Sequence, residues 1–298
     1  TGEILESDIL WYHNVMNLLR NWYLIQTAAI NPEARSVNFK DEVMGELIRF
    51  VAAHEVGHTL GLPHNMGSSV AYPVDSLRSP TFTKKMGTAP SIMDYARFNY
   101  VAQPEDGDVG LHPQIGPYDY WAITYGYKPL LDAETAEEEH QILNEWIKER
   151  AYNPLYRYGQ QRGNPQDPTS QTEDLGDDAV KASEYGIANL KRILPQLMEW
   201  SAQDGENYDN LEELYGQVVT QLGRYMRNVA ANVGGVYEYR KTYDEEGIVF
   251  SPVSKEKQAA AVNFLNEQVF ETPQWLIMPE VTQRFEGVGT LERVRSFQ

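Results

Sequence analysis

Residues 54–65 read HEVGHTLGLPHN, and no other stretch limits so sharply what this 298-residue chain can fold into. On a helix, His54 and His58 lie one turn apart on the same face. Their imidazoles can converge on one point at the ~2.0–2.1 Å that zinc requires. Glu55 follows His54 and points about 100° round the helix, the direction of a base beside a metal rather than a ligand on it. A catalytic zinc takes three protein ligands and leaves one position open. Two histidines on one helix cannot supply the third, so the chain has to leave the helix and bend back. Gly61 permits the bend, because it accepts left-handed backbone angles without steric cost. His64 is then placed to close the site. The competing reading is three solvated or core-satisfied histidines. Yet half of the 6 histidines fall in this one short stretch, and chance placement of all five letters at this spacing is on the order of 10⁻⁵ per chain.

The surrounding pattern supplies the helix. Met44, Leu47, Ile48, Val51 and Ala52 recur at three- and four-residue spacing, which predicts a helix over 41–60. Asp41 and Glu42 suit its start and Gly61 with Pro63 its end. Residues 3–12 mix apolar and polar side chains like a part-exposed strand, and 14–30 read as helical. Residues 62–110, rich in Gly, Pro, Ser, Asn and Asp, read as largely irregular. A short helix is expected over 117–127. Thr135 and Glu138 have capping-box spacing for a helix over about 136–150. After a polar connection at 152–177 the chain turns strongly helical. A helix over 178–201 carries Pro195 as a kink. An apolar stripe runs from Leu211 to Val229, with Asp209 and Glu212 placed to cap it. A hairpin with its turn at Asp244–Gly247 and a helix over 254–270 follow.

Composition removes several function classes. The net charge is −18, so phosphate backbones are repelled and nucleic acid is not an expected partner. With no cysteine, disulfides, Cys-based zinc sites and thiol catalysis are excluded. No stretch approaches the ~18–20 apolar residues of a membrane span.

HEVGHTLGLPH matches the H-E-x-x-H-x-x-G-x-x-H pattern of the metzincin zinc metallopeptidases, and SIMDY at 91–95 resembles the methionine turn of astacins and serralysins. YDYWAITYGY at 118–127 resembles the helix that closes a metzincin catalytic domain. The string SIMDYARFNYVAQPEDGD looks closest to a group of bacterial secreted or cell-envelope metzincins. The resemblance implies one catalytic Zn²⁺ on His54, His58 and His64, and peptide-bond hydrolysis by a zinc-activated water with Glu55 as general base. It implies that Met93 lies beneath the metal as a hydrophobic floor. It also implies that Tyr95 approaches the metal or stabilises the oxyanion. Residue 65 is Asn, where the named subfamilies have other residues.

The expected fold is therefore helix-rich α+β. A metzincin-like catalytic domain occupies residues 1–130, short of part of the usual N-terminal sheet, and a mainly helical accessory domain occupies 131–298. The expected partner is a protein or peptide substrate, with the S1′ pocket near residues 94–104. The resemblance places the protein outside the cytoplasm, secreted or in the cell envelope. The chain opens on TGEILESDIL with no targeting pattern, so further residues are expected upstream. Asp106 and Asp108 are candidate oxygen ligands for Ca²⁺. His112 is a candidate cleft residue, whereas His13 and His140 have no partner at metal spacing. Two alternatives keep the zinc. One is a binding or adhesion module without turnover, against which intact Glu55 argues. The other is the zinc-peptidase class whose third ligand is a downstream Glu, against which His64 and SIMDY argue.

Overall fold

The computed structural model of the protein describes residues 3–160 and 167–285. In chain order the helices are α1 (Asn14–Thr27), α2 (Asp41–Thr59), α3 (Pro80–Met86), α4 (Pro117–Tyr127), α5 (Ala136–Lys148), α6 (Ala179–Ile193), α7 (Leu197–Trp200), α8 (Asp209–Ala230), α9 (Lys255–Leu265) and α10 (Pro279–Thr282). The strands β1 (Val236–Glu238) and β2 (Phe250–Pro252) pair antiparallel, with Tyr237 opposite Ser251. The fold is helix-rich α+β. No helix among the described residues is long and apolar enough to cross a membrane.

Helix α1 is the hub, packing on α2 on one side and on α6 and α8 on the other. Leu19 and Leu24 of α1, Leu47 and Phe50 of α2, Leu190 of α6 and Val218 of α8 belong to one contiguous buried cluster. The α8 stripe read from the sequence is buried from Leu211 to Val229. Helices α6 and α8 approach closely because Gly186 has no side chain. A Cβ there would stand 2.5 Å from Cζ of Tyr225.

Several expectations need correction. Residues 3–12 form no strand; they are irregular and exposed, with no ladder partner among the described residues to satisfy their backbone groups. The stretch 62–110 contains α3. Ser79 caps it by accepting from Phe82 N, Pro80 opens it, and Gly87 at φ 69° ends it. The Ser-Pro start and Gly stop were both legible. The 178–201 helix is broken at Leu194–Gln196 into α6 and α7, since Pro195 donates no N–H to the ladder. At the start of α8, Tyr208 makes no side-chain cap; the Asp209 N–H donates instead to Asn207 Oδ1 at 3.2 Å. Thr135 does cap α5, accepting from Glu138 N at 3.2 Å. The carboxylate of Glu138, however, reaches Glu134 N at 2.8 Å rather than the N–H of Thr135.

The tight α6–α8 crossing gives a stability test. Gly186→Ala has to push Tyr225 aside in a filled core, and should destabilise the protein by about 1–3 kcal/mol. Its denaturant midpoint should fall, whereas Gly126→Ala, inside α4 with open space around its Cβ, should leave the midpoint unchanged or raise it slightly.

Candidate metal centre and cleft

Helix α2 presents His54 and His58 on one face, and the chain then turns on Gly61 at φ 84°. Leu62 N donates to Gly57 O at 3.0 Å and Gly61 N to His58 O at 2.9 Å, closing the helix end. No atom crowds a Cβ built at Gly61. The glycine is required there by backbone angle and not by space. The turn returns His64 to the other two rings.

The three rings converge. His58 Nε2 lies 3.0 Å from His64 Nε2, which lies 3.2 Å from His54 Nε2. His54 Nδ1 is 2.8 Å from Ile92 O, and His58 Nδ1 is 2.8 Å from Leu62 O. A carbonyl can only accept, so both Nδ1 atoms carry the proton and both Nε2 atoms offer bare lone pairs. His64 has one proton at most for Nε2 and cannot satisfy both neighbours. A cation among the rings would satisfy all three lone pairs at once. A tetrahedral ion with ~2.0–2.1 Å bonds separates its ligand atoms by about 3.3 Å, close to the spacing found. The residues therefore fit a zinc ion. Burial lowers the pKa of His54 to about 4 and also lowers that of His64, which favours the neutral rings a metal needs. Among the described residues, His54, His58 and His64 are the group that can hold a metal.

Met93 is fully buried against Gly57, where any Cβ would overlap the Met93 sulfur. Its carbonyl accepts from Asn65 N at 3.1 Å, which pins the residue after His64. The ring of Tyr95 stacks on His54 at 5.1 Å and tilts against His64 at 4.4 Å. Burial raises its pKa, with the neighbouring Arg97 opposing. Glu55 is half-buried, and its carboxylate makes no hydrogen bond among the described residues.

The site opens into a cleft of about 1200 Å³. Of residues 94–104, only Tyr95 and Arg97 line it; Phe98, Tyr100 and Val101 are core. The facing wall comes from residues 171–173 and the end of α8. His112 lies in a separate cavity of about 510 Å³ with Glu46 and Arg49, stacked on Tyr23. The Ca²⁺ expectation is not supported. Asp106 is engaged by Arg78 at 2.6 and 2.8 Å, and Asp108 by Lys84. Cations already hold the carboxylates that a metal would need.

Three buried carboxylates hold this frame, none of them anticipated from the sequence. Asp119, at the start of α4, accepts from Ser91 Oγ at 2.6 Å, Ile92 N at 2.8 Å and Gly116 N at 2.8 Å. Asp94 accepts from Ser68 N at 3.1 Å and Ser69 N at 2.7 Å. Ser69 Oγ in turn donates to Asp174 Oδ1 at 3.2 Å. Asn65 adds a polar clamp, donating to Arg157 O and accepting from Gly159 N, both at 2.9 Å.

Burial raises Asp94, to about 7, against the opposing hydrogen bonds from Ser69 and Ser68, and burial together with the neighbouring Asp94 raises Asp174. The folded state therefore keeps protons that unfolded aspartates, at about 3.9, release. This pair's contribution to stability is present at acid pH and is lost as pH rises from about 4 through 7. In urea titrations, Asp174→Asn should flatten that decline; an unchanged slope across the window would contradict the pairing.

No curated protein and no solved structure matches the chain. A sequence model of the family described as Met-zincin matches residues 36–298. The match covers His54 and His58 on α2, His64 beyond it, the turn at Met93 and both walls of the cleft, and the chain belongs to the Met-zincin family.

Proposed function

We propose that the protein is a zinc-dependent endopeptidase. One observation carries this reading: His64 Nε2 lies 3.0 and 3.2 Å from the Nε2 atoms of His58 and His54, while those two rings are locked through Nδ1. A bound cation satisfies that arrangement, and it stands at the mouth of a cleft with room for a peptide. Bound by His54, His58 and His64, zinc supplies a Lewis acid that polarises the scissile carbonyl and acidifies water. Glu55, next to His54 and free of other hydrogen bonds, accepts a proton from the attacking water. The water oxygen bonds to the carbonyl carbon, the C–N bond breaks, and Glu55 returns the proton to the leaving nitrogen. The Tyr95 hydroxyl, on the ring packed against His54 and His64, donates to the developing oxyanion. The catalytic groups fall within residues 1–130, and the helical residues 131–298 complete the cleft.

Glu55→Ala should lower peptide turnover by roughly 10²–10⁴-fold while metal analysis still finds one zinc per chain. Substantial turnover in that variant would overturn the role of Glu55. Full zinc loading with no cleavage of any peptide by the wild type would point to a binding module instead. Tyr95→Phe should lower kcat by roughly 10² with little change in KM, read from steady-state kinetics on one cleaved peptide.

A further inference from the structure

The cleft has a charge opposite to that of the chain. The protein carries a net charge of −18, yet the cleft presents three arginines, Arg97, Arg224 and Arg227, against one carboxylate, Glu173. Arg97 is committed. Its Nε is 3.3 Å from Glu173 Oε1, and its guanidinium lies 3.5 Å from the ring of Trp22 and 4.6 Å from that of Tyr95. Arg224 Nε stands 3.3 Å from Glu173 Oε2, but without the geometry of a hydrogen bond. Arg227, three residues on in the last turn of α8, is exposed and has no acidic partner among the described residues. The helix dipole favours a cation at that end, but it is no counter-ion. One buried carboxylate thus serves two guanidiniums, and a third has none.

The backbone also singles out this wall. Arg97 at φ 61° and Glu173 at φ 62° are the two non-glycine residues with positive φ among the described residues. Such backbone persists where surrounding contacts enforce it, and it clusters at binding sites. Glu173 N donates to Tyr95 O at 2.9 Å, so the arginine wall is tied to the residue that packs on two of the histidines.

We propose that Arg224 and Arg227 form a carboxylate-binding subsite that holds the substrate peptide in the cleft. The proposal rests on the peptidase reading above. A guanidinium fork matches a carboxylate in geometry and charge, and a cleft of one sign concentrates ligands of the other. The carboxylate comes either from an Asp or Glu side chain of the substrate or from its C-terminus.

The test uses labelled octapeptides that differ only in Glu against Gln at each position in turn, and in free-acid against amidated C-termini. Anisotropy on the zinc-loaded Glu55→Gln protein gives Kd, and wild-type turnover gives kcat/KM. The carboxylate peptide should be favoured by about tenfold or more. A Glu preference assigns the side chain, and a free-acid preference assigns the terminus. The ratio should fall towards one in the Arg224→Gln/Arg227→Gln protein. Should loss of Arg224 disturb folding, Arg227→Glu at the exposed helix end carries the test, and should shift preference to Lys peptides. A wild-type ratio near one, or a ratio unmoved by Arg227→Glu, overturns the subsite. Carboxylate-selective binding without cleavage sinks the peptidase reading and leaves the subsite standing. Cleavage indifferent to carboxylates sinks the subsite alone, and absence of both binding and cleavage sinks both.

Discussion

The arrangement on which the rest depends is two imidazole N–H groups held by two backbone carbonyls. Ile92 O fixes the ring of His54 and Leu62 O fixes that of His58. Each bond sets a tautomer as well as an orientation. Because the acceptors are main-chain atoms, the rings stay in place only if the chain at 62 and 92 does. Much of the surrounding structure serves that end. Gly61 sets the path through Leu62, and Asp119 holds Ile92 N. Asn65 N on Met93 O ties the two stretches together.

The frame is built from buried carboxyl groups in place of a hydrophobic layer. Asp94, Asp119 and Glu173 are all buried beside the site. A buried carboxylate is costly unless hydrogen-bonded or paired. Asp119 meets that cost with three short bonds to one turn, and Glu173 with two arginines. Asp94 leaves one oxygen without a partner, and shares its strain with Asp174. Such groups specify one backbone arrangement more narrowly than apolar contacts would, because each has few satisfying geometries.

What was legible in the sequence was the part that obeys a local period. The glycine stop of helix α2 and the return of His64 lie within ten residues of His54, and α2 itself follows an unbroken local period, so spacing alone placed them. The α8 stripe was legible for the same reason. The facing wall of the cleft was not. Glu173 meets Tyr95 across 78 residues of chain, and Asn65 meets Gly159 across 94; no period marks contacts of that reach. Residues 171–173 sit in a stretch that reads as a polar connection, because their partners are supplied by α8 and by the turn at 93–97. The expectation of a strand at 3–12 failed on similar grounds, since alternation promises a strand only where a second strand is available to pair.

The same difference in reach divides the entropic cost of the site unevenly. Ten residues separate the first and third histidines, so their closure costs little chain entropy, whereas the opposite wall of the cleft has to be brought in over a loop several times longer. Bringing the three histidines near one another thus costs less chain entropy than closing the groove that feeds them, and the long-range bond from His54 to Ile92 O is what joins the two.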